Sequence, residues 1–177
     1  MAGRRRVPTG VTAMTDKPKK SAKMPPRTFL CVVDESEELS QALRYACRRA
    51  NNTGGRIALL YVIEPTEFQH WMAVGDRMKE EAREGAEELI QVVASVVQKR
   101  TGHTPVVYIR EGKAEEELVK LIDEQKDISV LILGASTGPE GPGPLVSYLL
   151  KEKAGTLRVP MTVVPGGLTD EQIDAIS

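Results

Sequence analysis

The chain has 177 residues, enough for one typical domain and a tail, and its 41% hydrophobic and 28% charged residues are ordinary for a globular protein. No apolar run reaches the roughly 18 residues that a membrane span needs, and no apolar stretch follows the basic N-terminus as it does in a secretory signal. The two cysteines, Cys31 and Cys47, are too few for a disulfide framework and predict buried free thiols in a reducing cytoplasm.

Charge is distributed unevenly along the chain. Residues 1–27 hold eight basic residues and one acid, a net charge of +7, while residues 28–177 hold sixteen basic and 24 acidic residues, a net charge of −8. The Pro, Lys and Ser content of the first segment predicts a disordered basic arm that could also fold back on the acidic body. Because the arm has no aromatic residue to stack on bases and no apolar helical stripe, we expect neither nucleic acid nor a membrane as its partner.

Five apolar runs alternate along the chain with segments of helical spacing. The first run follows Pro25 and Pro26, and the longest helical pattern comes after a connection that carries Phe68, His70 and Trp71. The runs predict strands at residues 28–33, 56–63, 105–110, 128–133 and 161–164. The helical patterns predict helices at residues 37–50 (with Ser36 as N-cap), 76–100, 114–124 and 145–157, and a short terminal helix at 169–176 capped by Thr169.

This alternation predicts a doubly wound α/β domain. Strands without polar alternation belong to a parallel sheet that is covered on both faces, and right-handed crossovers connect them. We therefore expect a folded domain over residues 28–166, followed by a tail over 167–177. Periodicity alone leaves the order of the strands open.

A ligand site of such a sheet is expected at the carboxyl ends of its strands. Asp34 follows the first predicted strand, and the run Gly134 to Gly138 follows the fourth. Glycines let backbone N–H groups approach a phosphate, and the hydroxyls of Ser136 and Thr137 add donors. The Gly- and Pro-rich sequence that continues to Pro144 fits a structural connector equally well, and no Gly-Lys-Ser/Thr of a P-loop occurs.

Several residues in order resemble the universal stress protein family. They are Asp34 directly after the TFLCVV strand, Val62 near the end of the second strand, the GKAEE run that opens the third helix at Gly112, and VLILGAS at the fourth strand. The resemblance covers residues 28–166. It implies a five-stranded sheet of order 3-2-1-4-5, of the adenine-nucleotide α-hydrolase-like type, in which Asp34 and Gly134 face each other across one crevice.

The resemblance also implies a cofactor, ATP or another adenine nucleotide. In nucleotide-binding members, the aspartate after the first strand contacts the nucleotide and the backbone of a second-strand valine holds adenine, which correspond here to Asp34 and Val62. A Gly-x2-Gly-x9-Gly-Ser/Thr pattern holds ribose and phosphates. This chain departs from that pattern, because only Gly134, Ser136, Thr137 and Gly138 stand at its start and Ser147 has no glycine before it.

We predict a binding module and not an enzyme. Gly-x-Ser-x-Gly and metal-ligand spacings are absent, and the aspartate and lysine that a phosphoacceptor receiver domain needs after strands three and five are replaced by Arg110 and Pro165. The pair His70 and Trp71 is expected to be a hydrophobic plug. The family resemblance further implies a homodimer through the last strand, Met161 to Val164.

Two hypotheses remain open from the sequence. The first is a stress-response module that binds an adenine nucleotide in the crevice between strands one and four. The second is a dimeric adaptor that acts through protein partners without a nucleotide.

Overall fold

A computed structural model describes residues 26–64 and 75–177. The prediction for His70 and Trp71, and the disorder expected for residues 1–25, lie outside the described residues. The strands are β1 (Thr28–Val32), β2 (Arg56–Ile63), β3 (Val106–Glu111), β4 (Ile128–Ala135) and β5 (Met161–Pro165). The helices are α1 (Leu39–Thr53), α2 (Gly75–Thr101), α3 (Ala114–Glu124), α4 (Pro144–Tyr148, continued by a π-helical turn over Leu149–Lys153) and α5 (Asp170–Ile176).

The five strands form one parallel sheet of order β3-β2-β1-β4-β5, as predicted. The order reverses at β1, whose neighbours are β2 on one side and β4 on the other. The carboxyl ends of β1 and β4 therefore form the switch point at which open α/β sheets bind ligands.

The core consists of two apolar layers, one on each face of the sheet. On one face, Cys31, Leu59 and Ile132 pack against α1 and α2. On the other, Leu30, Leu60 and Leu131 pack against α3 and α4. Both layers are filled by aliphatic side chains, and Phe29 is the single aromatic side chain that is fully enclosed among the described residues.

Two element boundaries near the switch point differ from the prediction. β4 extends two residues beyond its predicted end, because Gly134 and Ala135 still pair with Val164 and Pro165 of β5. α1 begins at Leu39, and Ser36 is not its N-cap. The backbone N–H and the hydroxyl of Ser36 both donate to Oδ1 of Asp34, at 3.1 Å and 2.5 Å, and this local turn competes with the helix start.

The predicted helix over residues 145–157 is also shorter and less regular than expected. Regular α-helix ends at Tyr148, and a π-helical turn follows to Lys153. The chain then turns so that the guanidinium of Arg158 donates to the carbonyls of Ile122 and Gln125 at the end of α3 and to that of Ile128 at the start of β4. This tertiary contact overrides the local helical preference of the residues after Tyr148.

The thiols of Cys31 and Cys47 are free and buried, as predicted. Burial raises the pKa of both, to about 11 for Cys47. Neither thiol is therefore a reactive thiolate near neutral pH. Among the described residues, no helix combines the length and the hydropathy required to cross a membrane.

The predicted terminal helix is confirmed as α5, with Thr169 and Gln172 forming a capping box. α5 is attached to α1 by the fully buried side chain of Ile173 and by ion pairs. The guanidinium of Arg44 donates from Nε and Nη2 to the two carboxylate oxygens of Asp174, at 2.9 Å and 2.8 Å, and from Nη1 to Asp170 at 2.9 Å. Planar bidentate pairs of this kind are the stronger ion pairs in proteins.

The attachment of α5 is expected to depend on pH. The hydrogen bond from Arg44 lowers the pKa of Asp174 below its ordinary value of 3.8. A carboxylate whose pKa is lower in the folded state than in the unfolded state stabilises the fold. This stabilisation is complete above the unfolded-state pKa and is lost as the pH falls below that value. We expect Asp174→Asn to be less stable than the parent at pH 7. Urea unfolding should show the difference between the two proteins shrinking below pH 3.8, whereas a constant difference would contradict this role.

Candidate functional site

A crevice of about 150 Å³ lies at the switch point, between the turn that follows β1 and the start of α4. Its floor is formed by the ends of β1 and β4, and its far wall by the segment that leads into α4. The lining residues are Val32, Asp34, Ser36, Glu38, Leu39, Leu133, Gly134, Pro142, Gly143, Pro144, Leu145 and Val146.

The strand register brings three of the predicted site residues to the same edge of the sheet, within one residue of the same level. Val32 of β1 pairs with Leu60 of β2, so two residues further along, Asp34 lies level with Val62. Cys31 pairs with Ile132 of β4, so Gly134 lies level with Val33. Asp34, Val62 and Gly134 therefore share the carboxyl edge of three adjacent strands, but only Asp34 and Gly134 line the crevice.

Glu38 occupies the position that the missing side chain of Gly134 leaves open. A Cβ at Gly134 would lie 2.7 Å from the carbonyl oxygen and 2.8 Å from the Cγ of Glu38. A Cβ at Gly166, which follows β5, would lie 2.9 Å from the Cβ of Glu38. The two glycines thus allow the start of α1 to rest directly on the ends of β4 and β5.

The loop after β4 uses its own backbone donors. The amide of Ser136 donates to the carbonyl of Pro142 at 3.3 Å, that of Gly138 to the hydroxyl oxygen of Ser136 at 3.2 Å, and that of Gly141 to the carbonyl of Gly138 at 3.3 Å. Pro139, Pro142 and Pro144 have no N–H to offer. Three of the six non-proline amides of residues 136–143 thus donate within the loop, which reduces the number of donors that it can offer a phosphate.

The four residues predicted on the phosphate side do not line the crevice. Ser136, Thr137 and Gly138 belong to the loop after β4, and Thr137 and Gly138 are exposed. Ser147 lies inside α4, where its amide donates to the carbonyl of Gly143 at 3.0 Å. Their predicted role in binding stays a prediction.

Sequence reasoning missed Glu38 as a site residue. Its place in a run of four acids among residues 34–38 predicts only a helix start, and nothing in the local pattern indicates contact with Gly134. The glycine pair Gly166 and Gly167 after the last strand was the available signal, since a glycine at a strand end often marks a close backbone approach.

The crevice is acidic. Asp34 and Glu38 line it, and no lysine or arginine does so among the described residues. Asp34 also acts on a neighbouring tyrosine: burial, together with the charges of Glu35 and Asp34, raises the pKa of Tyr61 above its usual value. Within the described segments, no group of three or more His, Cys, Asp or Glu side chains is arranged to hold a metal ion.

A family model described as the universal stress protein family matches residues 26–150, more than half of the chain. The chain belongs to the universal stress protein family. β5 and α5 lie beyond the matched residues and complete the sheet and its cover. No curated protein matches the sequence.

Solved structures of universal stress proteins share the fold. UspA from Lactobacillus plantarum is 18% identical, with a TM-score of 0.65 over 78% of this chain and 97% of that one. The Archaeoglobus fulgidus protein solved in complex with dAMP is 18% identical, with a TM-score of 0.57 over 79% and 98% of the two chains. A universal stress protein in complex with cAMP is 16% identical, with a TM-score of 0.53 over 78% and 96%.

Proposed function

We propose that this universal stress protein is a non-catalytic, cytoplasmic binding module that takes an adenine nucleotide in the crevice between β1 and β4. The nucleotide would bind chiefly through its base and ribose, with its phosphates directed toward solvent. The observation that carries this proposal is the position of Asp34 and Gly134 on the lining of a crevice at the switch point of the sheet.

The size of the crevice supports a base-sized occupant. A cavity of about this volume accommodates one small aromatic molecule such as benzene. Pockets that enclose drug-sized ligands are larger, roughly 300–1,000 Å³. A whole nucleoside triphosphate would therefore require the Pro142–Leu145 segment to move outward.

The hydrogen-bonding groups and the charges of the crevice also support binding through the base and the ribose. The exposed Asp34 uses Oδ1 for Ser36, and its Oδ2 has no hydrogen-bond partner among the described residues, so it can accept from a ribose hydroxyl. The backbone of Val62, which is level with Asp34 but not on the crevice lining, would hold the part of adenine that extends beyond the crevice toward β2. The carboxylates of Asp34 and Glu38 oppose a polyphosphate in the crevice, and three of the six non-proline amides of residues 136–143 already donate within the loop. The relatives solved with dAMP and cAMP carry nucleotides with a single phosphate.

Replacing Asp34 with Ala should weaken AMP binding about tenfold or more, since hydrogen bonds to a charged group contribute roughly 1.5–3 kcal/mol. Isothermal titration calorimetry of the full chain measures this. Glu37→Ala is the matched control, because Glu37 is exposed on the same turn and does not line the crevice. Equal affinities of the parent and the Asp34→Ala protein would refute the site.

A second candidate is the adaptor that binds protein partners without a nucleotide. It is favoured by the close contact of Glu38 with Gly134, which leaves the crevice narrow. Two measurements together separate the candidates. The first is analysis of the nucleotide that is released when the purified protein is denatured, and the second is calorimetry with added nucleotide. No released nucleotide and no heat with millimolar AMP or ATP would favour the adaptor.

We further propose that β5 pairs with its copy in a second subunit. β5 is an edge strand, and exposed strand edges need protection against uncontrolled pairing. Sedimentation at micromolar concentration should give twice the mass of the chain. Thr162→Lys, which places a charge on the edge, should give a monomer, while Thr156→Lys in the turn before β5 should not. A monomeric parent would contradict this proposal.

A further inference from the structure

The opposite edge of the sheet carries an open apolar groove of about 720 Å³, between α2 and the edge strand β3. Ile90 and Val92 of α2 and Val107 and Ile109 of β3 form its apolar surface, and Val92 is 62% exposed. Among the described residues, no strand pairs with the outer edge of β3. An apolar groove beside an unpaired strand edge is the arrangement that accepts an added β-strand.

The rim of the groove is acidic. Glu87 and Glu88 line it, and both are exposed. Glu87 contacts Arg83 at 3.3 Å, whereas Glu88 has no ion pair within the described part of the chain. The groove therefore favours a segment that carries apolar side chains next to positive charge.

The chain itself contains such a segment, in the arm that precedes Pro26. Residues 11–15, Val-Thr-Ala-Met-Thr, contain no proline, are flanked by Pro8 and Pro18, and are rich in residues that favour strands. An extended conformation would place Val11 and Ala13 on one face and Met14 on the other. The arm's basic residues flank this run on both sides: Arg4, Arg5, Arg6, Lys17, Lys19, Lys20 and Lys23.

The length of the arm permits this contact within one chain. β1 starts at Thr28, and a strand outside β3 would lie three strand spacings from β1, about 14 Å away. The ten residues 16–25 span up to about 33 Å when extended. A short tether of this kind gives an effective concentration in the millimolar range, well above the concentration of a second copy in solution.

We propose that residues 11–15 of the arm bind along the outer edge of β3, over the groove formed with α2, as an added strand of the same chain. The apolar side chains on one face of the segment, Val11 and Ala13, contact the groove, and the neighbouring lysines and arginines pair with Glu87 and Glu88. The inference is independent of any nucleotide in the crevice, which lies at the β1 and β4 end of the sheet.

Hydrogen–deuterium exchange of the peptide covering residues 105–111 tests this in the full chain. About half of the β3 amides face β2 and stay protected, while the other half respond to the added strand. The double variant Thr12→Pro, Ala13→Pro removes two consecutive backbone N–H groups, so that one donor to β3 is lost whichever way the segment pairs. We expect the outward amides of β3 to exchange about tenfold faster in this variant. Ser21→Pro, Ala22→Pro, which changes only the tether, is the matched control and should behave like the parent.

A change of rim charge gives a second, independent readout. Glu88→Lys should also speed exchange in β3, whereas Glu152→Lys, an exposed acid in the π-helical turn on the other face, should not. Three results would overturn the proposal. They are outward amides that exchange freely in the parent, protection that survives the double variant, and protection that disappears on dilution, which would identify a second copy as the occupant.

Discussion

Gly134→Ala should lower the free energy of unfolding by about 1–3 kcal/mol, the usual cost of forcing an extra carbon into a packed site. The added Cβ would lie 2.7 Å from the carbonyl oxygen and 2.9 Å from the carbonyl carbon of Glu38. Because these are backbone atoms, the start of α1 must move for the side chain to fit. Moving that segment also displaces Asp34, so the same variant should bind AMP more weakly.

Gly138→Ala is the control for this effect. Gly138 lies four residues further along, in the loop after β4, and its Cβ would meet only the Ser136 hydroxyl at 3.4 Å, an ordinary contact distance. Urea unfolding should show a change within about 0.5 kcal/mol for this protein. Equal decreases in the free energy of unfolding for Gly134→Ala and Gly138→Ala would mean that the close packing of α1 on Gly134 contributes little to the stability of the fold.

Ile173→Ala should cost about 2–5 kcal/mol, the range for truncating a buried isoleucine to alanine. Ile173 is the one fully buried side chain of α5, the helix that the ion pair between Arg44 and Asp174 also ties to α1. Its loss removes the apolar contact that keeps α5 against α1, and ion pairs with exposed partners replace little of that free energy.

Ile176→Ala provides the comparison within the same helix. Ile176 is 59% exposed, so its truncation should change the stability by no more than about 0.5 kcal/mol. Thermal or urea unfolding of the two variants measures the difference. A similar small loss for both would show that α5 is attached by its charges and not by Ile173.

The sequence predicts the fold well because the decisive signals are local. Short apolar runs without alternation mark buried parallel strands, and the predicted ranges for β2 and α3 coincide with the observed ones. The buried face of α3, with Leu118, Leu121 and Ile122, follows directly from helical spacing. The strand order came from the family resemblance, since periodicity contains no information on which strands are neighbours.

The parts that were wrong depend on side-chain contacts that apolar periodicity does not reveal. The capture of Ser36 by Asp34 shifts the start of α1, and the reach of Arg158 to α3 ends the helix that begins at Pro144. Helical spacing predicts an apolar stripe on α2 that runs from Met78 through Ala86 to Val92, Val93 and Val96. The buried side chains are instead Ala86, Ile90, Val93 and Val97, and Met78 and Val92 are exposed. Only the packing of α2 on the sheet selects one of several adjacent apolar stripes.

The candidate site was only partly predictable for the same reason. Asp34 and Gly134 could be placed at the switch point, because the carboxyl ends of parallel strands share one edge. The position of Glu38 over two glycines arises from the tertiary arrangement, and the hydrogen bonds within the loop after β4 depend on a backbone conformation that its Gly and Pro content does not specify. The site is therefore a narrow acidic crevice and not the predicted phosphate-binding loop, and it suits the base and ribose of a nucleotide better than its phosphates.

The most direct test of this account compares adenosine, AMP and ATP by calorimetry on the full chain, with GMP as the control for the base. If binding depends on the base and ribose, AMP and ATP should bind with affinities within about tenfold of each other, a difference of less than ~1.4 kcal/mol, and GMP should bind more weakly. Binding of ATP about a hundredfold or more tighter than AMP, or no binding of any adenine compound at millimolar concentration, would contradict it.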